Sequence, residues 1–127
     1  MVSTPLNPLP VDVSRIRVSI QALHPKLIEW RRQLHQKPEL GFREFLTSEF
    51  VAQKLQEWGI DHQTGIAQTG IVAIIEGHRP GPVFAIRADM DALPIQEENE
   101  VPYKSQHDGV MHACGHDVHT SSLLACA

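Results

Sequence analysis

Two short stretches, "GIVAIIEG" at 70–77 and "PVFAIRADMD" at 82–91, are apolar at nearly every position. A strand with one wet face alternates apolar and polar residues, whereas one without a polar face must be covered on both sides. These stretches therefore predict buried strands flanked by helices, which makes the fold class α/β. Between them, "HRPGP" sets Pro80 and Gly81 at the central positions of a type II turn and predicts an antiparallel pair.

Helices to cover such strands can be read from the periodicity. Ile16, Ile20, Leu23, Leu27, Trp30 and Leu34 recur at steps of three and four from Ser14 to about Gln36, the stripe of an amphipathic helix. Pro25 lacks an N–H and clashes with the preceding turn, so a kink, or two helices with Pro25 opening the second, is expected. A second helix is expected from near Thr47, as N-cap, with Val51, Leu55 and Trp58 on one face and Gly59 as its stop. Trp30 and Trp58 fall on apolar faces and read as core. A third helix is expected to begin at Asp117 or His119, with no C-terminal stop signal, which reads as a helix that has been cut. The polar stretch from Pro94 to His112 reads as a long loop, uncommon in a compact domain unless it serves a site. Residues 1–13 carry three prolines and read as a disordered leader, leaving 14–127 as the folding part.

A chain of 127 residues can bury roughly two thirds of its unfolded surface, so a core is feasible. With a formal charge of −4 and eleven scattered Lys and Arg, no basic patch forms for a nucleic-acid backbone. No apolar run approaches the ~18 residues of a membrane span, and no signal segment opens the chain, so no membrane partner and a cytoplasmic location are expected. Cys114 and Cys126 are too few for a disulfide framework, which leaves a thiol available to metal.

Two groups of residues suit chemistry. Asp89 and Asp91, one residue apart at the C-terminal end of an expected strand, point to the same side, where an α/β sheet opens onto its binding crevice. Their plainer reading is a turn, because Asp bonds nearby backbone N–H groups. "MHACGHDVHTSS", 111–122, gathers three histidines, a cysteine and an aspartate. Gly115 allows a tight backbone in which the Cys114 thiolate and the His116 imidazole converge on one ion. A helical His112/His116 pair is disfavoured by the same glycine. The plainer reading is surface histidines beside a small buried cysteine.

"WRRQLHQKPELGFRE" and "RADMDALPIQEENEVPYKSQHDGVMHACGHDVHTSSLL", in that order, resemble the N-terminal part of the M20 family of metallopeptidases, in its amidohydrolase branch. The resemblance runs from about Leu27 to the end. It implies a zinc-peptidase-like α/β catalytic domain, with a smaller lid or dimerisation domain further along, through which a homodimer forms. Two divalent ions, Mn or Zn, are implied between them. Cys114 and His116 carry over as metal ligands, the thiolate bridging the ions. Asp91 carries over as the catalytic-site carboxylate that orients a metal-bound histidine from behind; the match at Asp89 is weaker. The implied reaction is hydrolysis of the amide of an N-acyl amino acid, a small-molecule substrate. Its general base, a glutamate after the CGHD helix, and further ligands lie beyond these positions, so inactivity of this chain alone is expected. Apolar surface and unpaired strand edges are expected too. The alternative is a non-catalytic metal-binding or interaction module that kept the CGH loop.

Overall fold

A computed structural model describes residues 12–127. The leader reading falls outside the described residues except at its end, where Asp12 caps the first helix and Val13 begins it. That helix, α1 (Val13–Gln36), starts where the Asp12 carboxylate accepts the N–H groups of Ser14 and Arg15. These bonds, the Ser14 side chain's first, hold the Asp12 carboxyl below its ordinary value. Pro25 lies inside α1 without dividing it. The expected break is absent because a single missing N–H forfeits one ladder bond, and the packed second half of the helix continues through it. Only that half is anchored: Ile16 and Ile20 are exposed, while Trp30 and Leu34 are buried.

The second helix, α2 (Phe45–Glu57), begins two residues before the expected N-cap. Thr47 is in its first turn, and the capping group is the Glu39 carboxylate, six residues upstream of the helix. It accepts the N–H of Leu46 at 3.1 Å, and the N–H and hydroxyl of Thr47 at 2.8 and 2.9 Å. Its stop is the expected glycine. Gly59 takes φ 68°, its N–H reaches Gln56 O at 3.1 Å, and Ile60 N–H reaches Leu55 O at 2.9 Å, the paired bonds of a Schellman motif. Trp58 is half exposed rather than core; it lies tilted against buried Trp30 with centroids 5.6 Å apart and covers its edge.

The strand pairing differs from expectation. β1 (Asp61–Ile66) pairs antiparallel with β2 (Gly70–Ile74), in the register Asp61↔Ile74 and Gln63↔Val72 with an irregularity before Ile66↔Gly70. β1, "DHQTGI", escaped the sequence reading because both its faces are open and polar, so it carries no apolar alternation. The hairpin needs a glycine at its return: a Cβ at Gly70 would stand 2.6 Å from Ile66 O. The stretch 82–91 belongs to no strand, and "HRPGP" joins no pair. With no neighbouring strand among the described residues to take its bonds, its apolar side chains stay in solvent, Val83 at 96% and Phe84 at 84% exposure. The open apolar surface is thus as expected, although the predicted hairpin is not.

α3 (His116–Leu124) packs on α1, and α2 packs on the hairpin. Trp30, Leu34, Leu55, Ala92 and Leu124 form the small core where these layers meet. Between the layers, the segment after Asp91 is fastened by Ala92 N–H to Glu39 O, 2.7 Å, and by the reciprocal bonds of Leu93 and Met111, both 3.0 Å. No helix among the described residues is long and apolar enough to cross a membrane.

Candidate metal centre

α3 opens the site. Gly115, its N-cap, takes φ 87°, a left-handed backbone that suits glycine, and its carbonyl accepts the N–H groups of Val118 and His119. The chain therefore turns sharply between Cys114 and His116. His116 is projected toward the 89–91 segment, where its Nδ1 lies 2.9 Å from Asp91 O and 3.0 Å from Asp91 Oδ1.

Both of those atoms are acceptors, so Nδ1 carries the hydrogen, and in the neutral ring Nε2 is left with a bare lone pair. An imidazole with one nitrogen held by a carboxylate and the other free is in the arrangement common among metal-ligating histidines. Donor atoms of Asp89, His116 and His119 all lie within 4.8 Å of one another. Two imidazoles and a carboxylate are a donor set that suits a divalent transition-metal ion, so the residues present fit such an ion. Asp89 is held on two sides: its carboxylate pairs with Arg87, and its carbonyl accepts the Thr120 hydroxyl at 3.0 Å.

Of the three residues singled out by the sequence, the structure brings Asp91 and His116 together. Cys114 stands outside the three-residue group, in a turn with its side chain exposed, and both cysteines are free thiols. His119 was read only as a helix start, although its spacing from His116, three positions on a helix, puts both on one face.

Behind the first turn of α3 lies a buried polar cluster that no local pattern announces. His35 Nδ1 is 2.7 Å from Asp117 Oδ2, and its Nε2 is 3.1 Å from Glu97 Oε1. Arg31 Nε donates to the same Asp117 oxygen at 2.6 Å. Burial works to raise the Glu97 carboxyl, but the N–H of Ser105, His35 and Asn99 outweigh it and hold it below the ordinary glutamate value. His112, buried beside the cluster with no hydrogen-bond partner on either ring nitrogen, is pushed below the ordinary histidine value by desolvation.

Fold and donor set together define an α/β chain with a candidate divalent-metal centre. Residues 85–127 match the profile of Peptidase family M20/M25/M40. An N-acyl-L-amino acid amidohydrolase of Geobacillus stearothermophilus is 48% identical over 112 residues, which span 88% of this chain and 30% of that protein. A hippurate hydrolase of Campylobacter jejuni is 50% identical over 97 residues, 76% of this chain and 25% of its own length. Among solved structures, a dinuclear metal-binding peptidase of the M20 family from Bacillus subtilis superposes with a TM-score of 0.77 at 48% identity, covering 82% of this chain and 30% of that one. By these matches the chain is similar over most of its length to part of M20-family proteins, and its α/β fold corresponds to the matching part of the solved one. It spans 25–30% of the length of these relatives.

Proposed function

We propose that residues 14–127 supply one half of the dinuclear centre of a cytoplasmic, metal-dependent amidohydrolase acting on N-acyl amino acids. The observation that carries this is the His116 ring: its Nδ1 is committed to Asp91, which leaves Nε2 for a cation. In this reading Cys114 and His116 would hold the divalent ions, manganese or zinc, and Asp91 would fix the angle of the imidazole. Bound divalent ions polarise an amide carbonyl and make hydroxide available near neutral pH. Among the chain's own residues, Asp91 keeps the proton of His116 on Nδ1, and the bonds of Ala92 and Leu93 hold the carboxylate in place. Homodimerisation belongs to a lid domain further along such an enzyme.

The test is Co(II) titration of the purified chain, followed by the same titration of Cys114→Ser and His116→Ala. Thiolate-to-cobalt charge transfer that disappears with Cys114→Ser, and binding lost with His116→Ala, are the expected results. Turnover of N-acetyl and N-benzoyl amino acids is expected only when the centre is complete. Binding unaffected by either substitution refutes the ligand assignment.

A second reading, a non-catalytic metal-binding module, is favoured by one observation. Asp89, His116 and His119 already converge within this chain. One tightly held ion that survives Cys114→Ser and is lost with His119→Ala selects the module.

A further inference from the structure

His35 is an 82-residue sequence separation away from Asp117 and takes no part in holding an ion, yet it is one of the most buried polar groups, at 3% exposure beside Asp117 at 0%. Each ring nitrogen faces a carboxylate oxygen, Asp117 Oδ2 on one side and Glu97 Oε1 on the other. The ring therefore joins three parts of the chain: its own helix α1, the 94–112 loop through Glu97, and the first turn of α3 through Asp117. The loop side is fixed in turn, because Glu97 also accepts the N–H of Ser105 at 2.6 Å and the side chain of Asn99 at 3.2 Å. Tyr103 closes over the cluster, edge-on to His35 at 5.7 Å, with the guanidinium groups of Arg31 and Arg32 over its ring at 5.1 and 4.8 Å.

Asp117 follows His116 directly. Its Oδ2 takes both Arg31 Nε and His35 Nδ1, and its Oδ1 takes the N–H of Val118. The first turn of α3 is thus tied to α1 through the Asp117 carboxylate, and His116 rides on that turn. The His116–Asp91 contact of 3.0 Å has little slack: a displacement of about 1 Å carries it past hydrogen-bonding range.

We infer that His35 is a positioning residue for the metal centre: by clamping Asp117 against Glu97 it sets the seat of His116, and with it the tautomer that presents Nε2. This rests on the proposed role of His116 as a ligand. The cluster acts at a distance from the ion, so its loss is felt as misorientation of a ligand rather than removal of one.

The test compares the parent chain with His35→Ala and with His35→Gln, which keeps much of the bulk but cannot bridge two carboxylates. Thr69→Val is the control: it breaks the buried 2.6 Å bond from the Thr69 hydroxyl to Glu44, on the hairpin side of α2, and lowers stability without touching α3. Co(II) affinity is read by titration, and the tautomer of His116 by long-range ¹H–¹⁵N spectra of the metal-free chain. Co(II) binding about 10–100-fold weaker in the His35 variants, as for other residues behind metal ligands, is expected. The Thr69 control should stay within about twofold of the parent, inside ordinary additivity. The His116 spectrum should move from Nδ1–H toward a mixture of tautomers in His35→Gln. Adding Asp117→Asn to His35→Gln should cost less than the two single effects summed, since they share the His35–Asp117 contact, the remaining cost being the weakened Arg31 bond.

Unchanged affinity and an unchanged His116 spectrum in a folded His35→Gln chain overturn the inference, as does an equal loss of affinity in Thr69→Val. A parent chain that binds no Co(II), but whose His116 tautomer still depends on His35, removes the metal reading and leaves the positioning intact.

Discussion

Replacing Glu39 by alanine tests how the site is held from the α2 side. The Glu39 carboxylate caps α2 through three bonds, to Leu46 N–H, Thr47 N–H and the Thr47 hydroxyl. The Leu46 bond is exposed, so water replaces it at little cost. The two Thr47 bonds are partly buried and charge-assisted. Hydrogen bonds to a charged group contribute about 1.5–3 kcal/mol, while removal of a helix cap costs about 0.5–2 kcal/mol in total. The lower scale governs here, because the three bonds share one carboxylate and form a single cap, so Glu39→Ala should cost about 2 kcal/mol. Glu39→Gln keeps an acceptor oxygen but loses the charge at the positive end of the helix, and about half of that loss is expected. With a urea dependence of about 2 kcal/mol per molar, the alanine variant should unfold about 1 M earlier. Fluorescence of Trp30 and Trp58 reads the transition, the second tryptophan being the C-cap of α2. A midpoint shift below about 0.2 M for Glu39→Ala, well under what one cap is worth, would show that α2 is held by packing alone.

Further outcomes are expected elsewhere in the molecule. Glu97 titrates below its ordinary value of 4.5 in the fold, so the stability it contributes is present above that value and lost as pH falls through the lowered one; Glu97→Gln should flatten the acid limb of the thermal midpoint against pH. Asp91→Ala should weaken Co(II) binding by about 10–100-fold while leaving the unfolding midpoint near that of the parent, since the carboxylate is partly solvated and its main-chain contacts persist. Gly70→Ala should disrupt the hairpin, because the new Cβ meets Ile66 O at 2.6 Å and no side chain can yield; loss of β1–β2 amide protection in hydrogen exchange is the measurement. Val83→Thr with Phe84→Ser should reduce self-association in light scattering with little change in stability, both side chains being almost wholly in solvent.

Local signals in the sequence were reliable where local physics decides the outcome. Gly59 ends α2 because a left-handed residue is needed there, and the apolar stripe of α1 marks the face that buries Trp30 and Leu34. The strand reading went astray for a long-range reason: apolar content at 82–91 shows what the segment needs, and no neighbour among the described residues meets that need. β1 was invisible for the opposite reason, a strand held by its partner's backbone and by the turn, with little apolar burial to leave a pattern. In the site, Asp91 and His116 were legible through motif and spacing. His35, Glu97 and Arg31 were not, since the contacts of Arg31 and His35 with Asp117, and of His35 with Glu97, span 62 to 86 residues and are made by tertiary packing.

The open stretch 82–87 and the site are neighbours in sequence, yet their fates are separable. Asp89 and Asp91 continue directly from the exposed stretch 82–87, and a segment without strand partners would ordinarily carry its end with it. Here the end is fastened independently: Asp89 O to the Thr120 hydroxyl, Ala92 N–H to Glu39 O, and Leu93 to Met111 on both sides. Each bond reaches a different element, α3, the α1–α2 connection and the far end of the long loop. Buried or partly buried backbone groups that are satisfied this way resist displacement, because moving any of them leaves a polar group unpaired. The carboxylate that orients His116 is therefore placed by α3 and the two connections packed around it rather than by the sheet, which explains how the histidine and its carboxylate can stand assembled beside a segment that joins no strand.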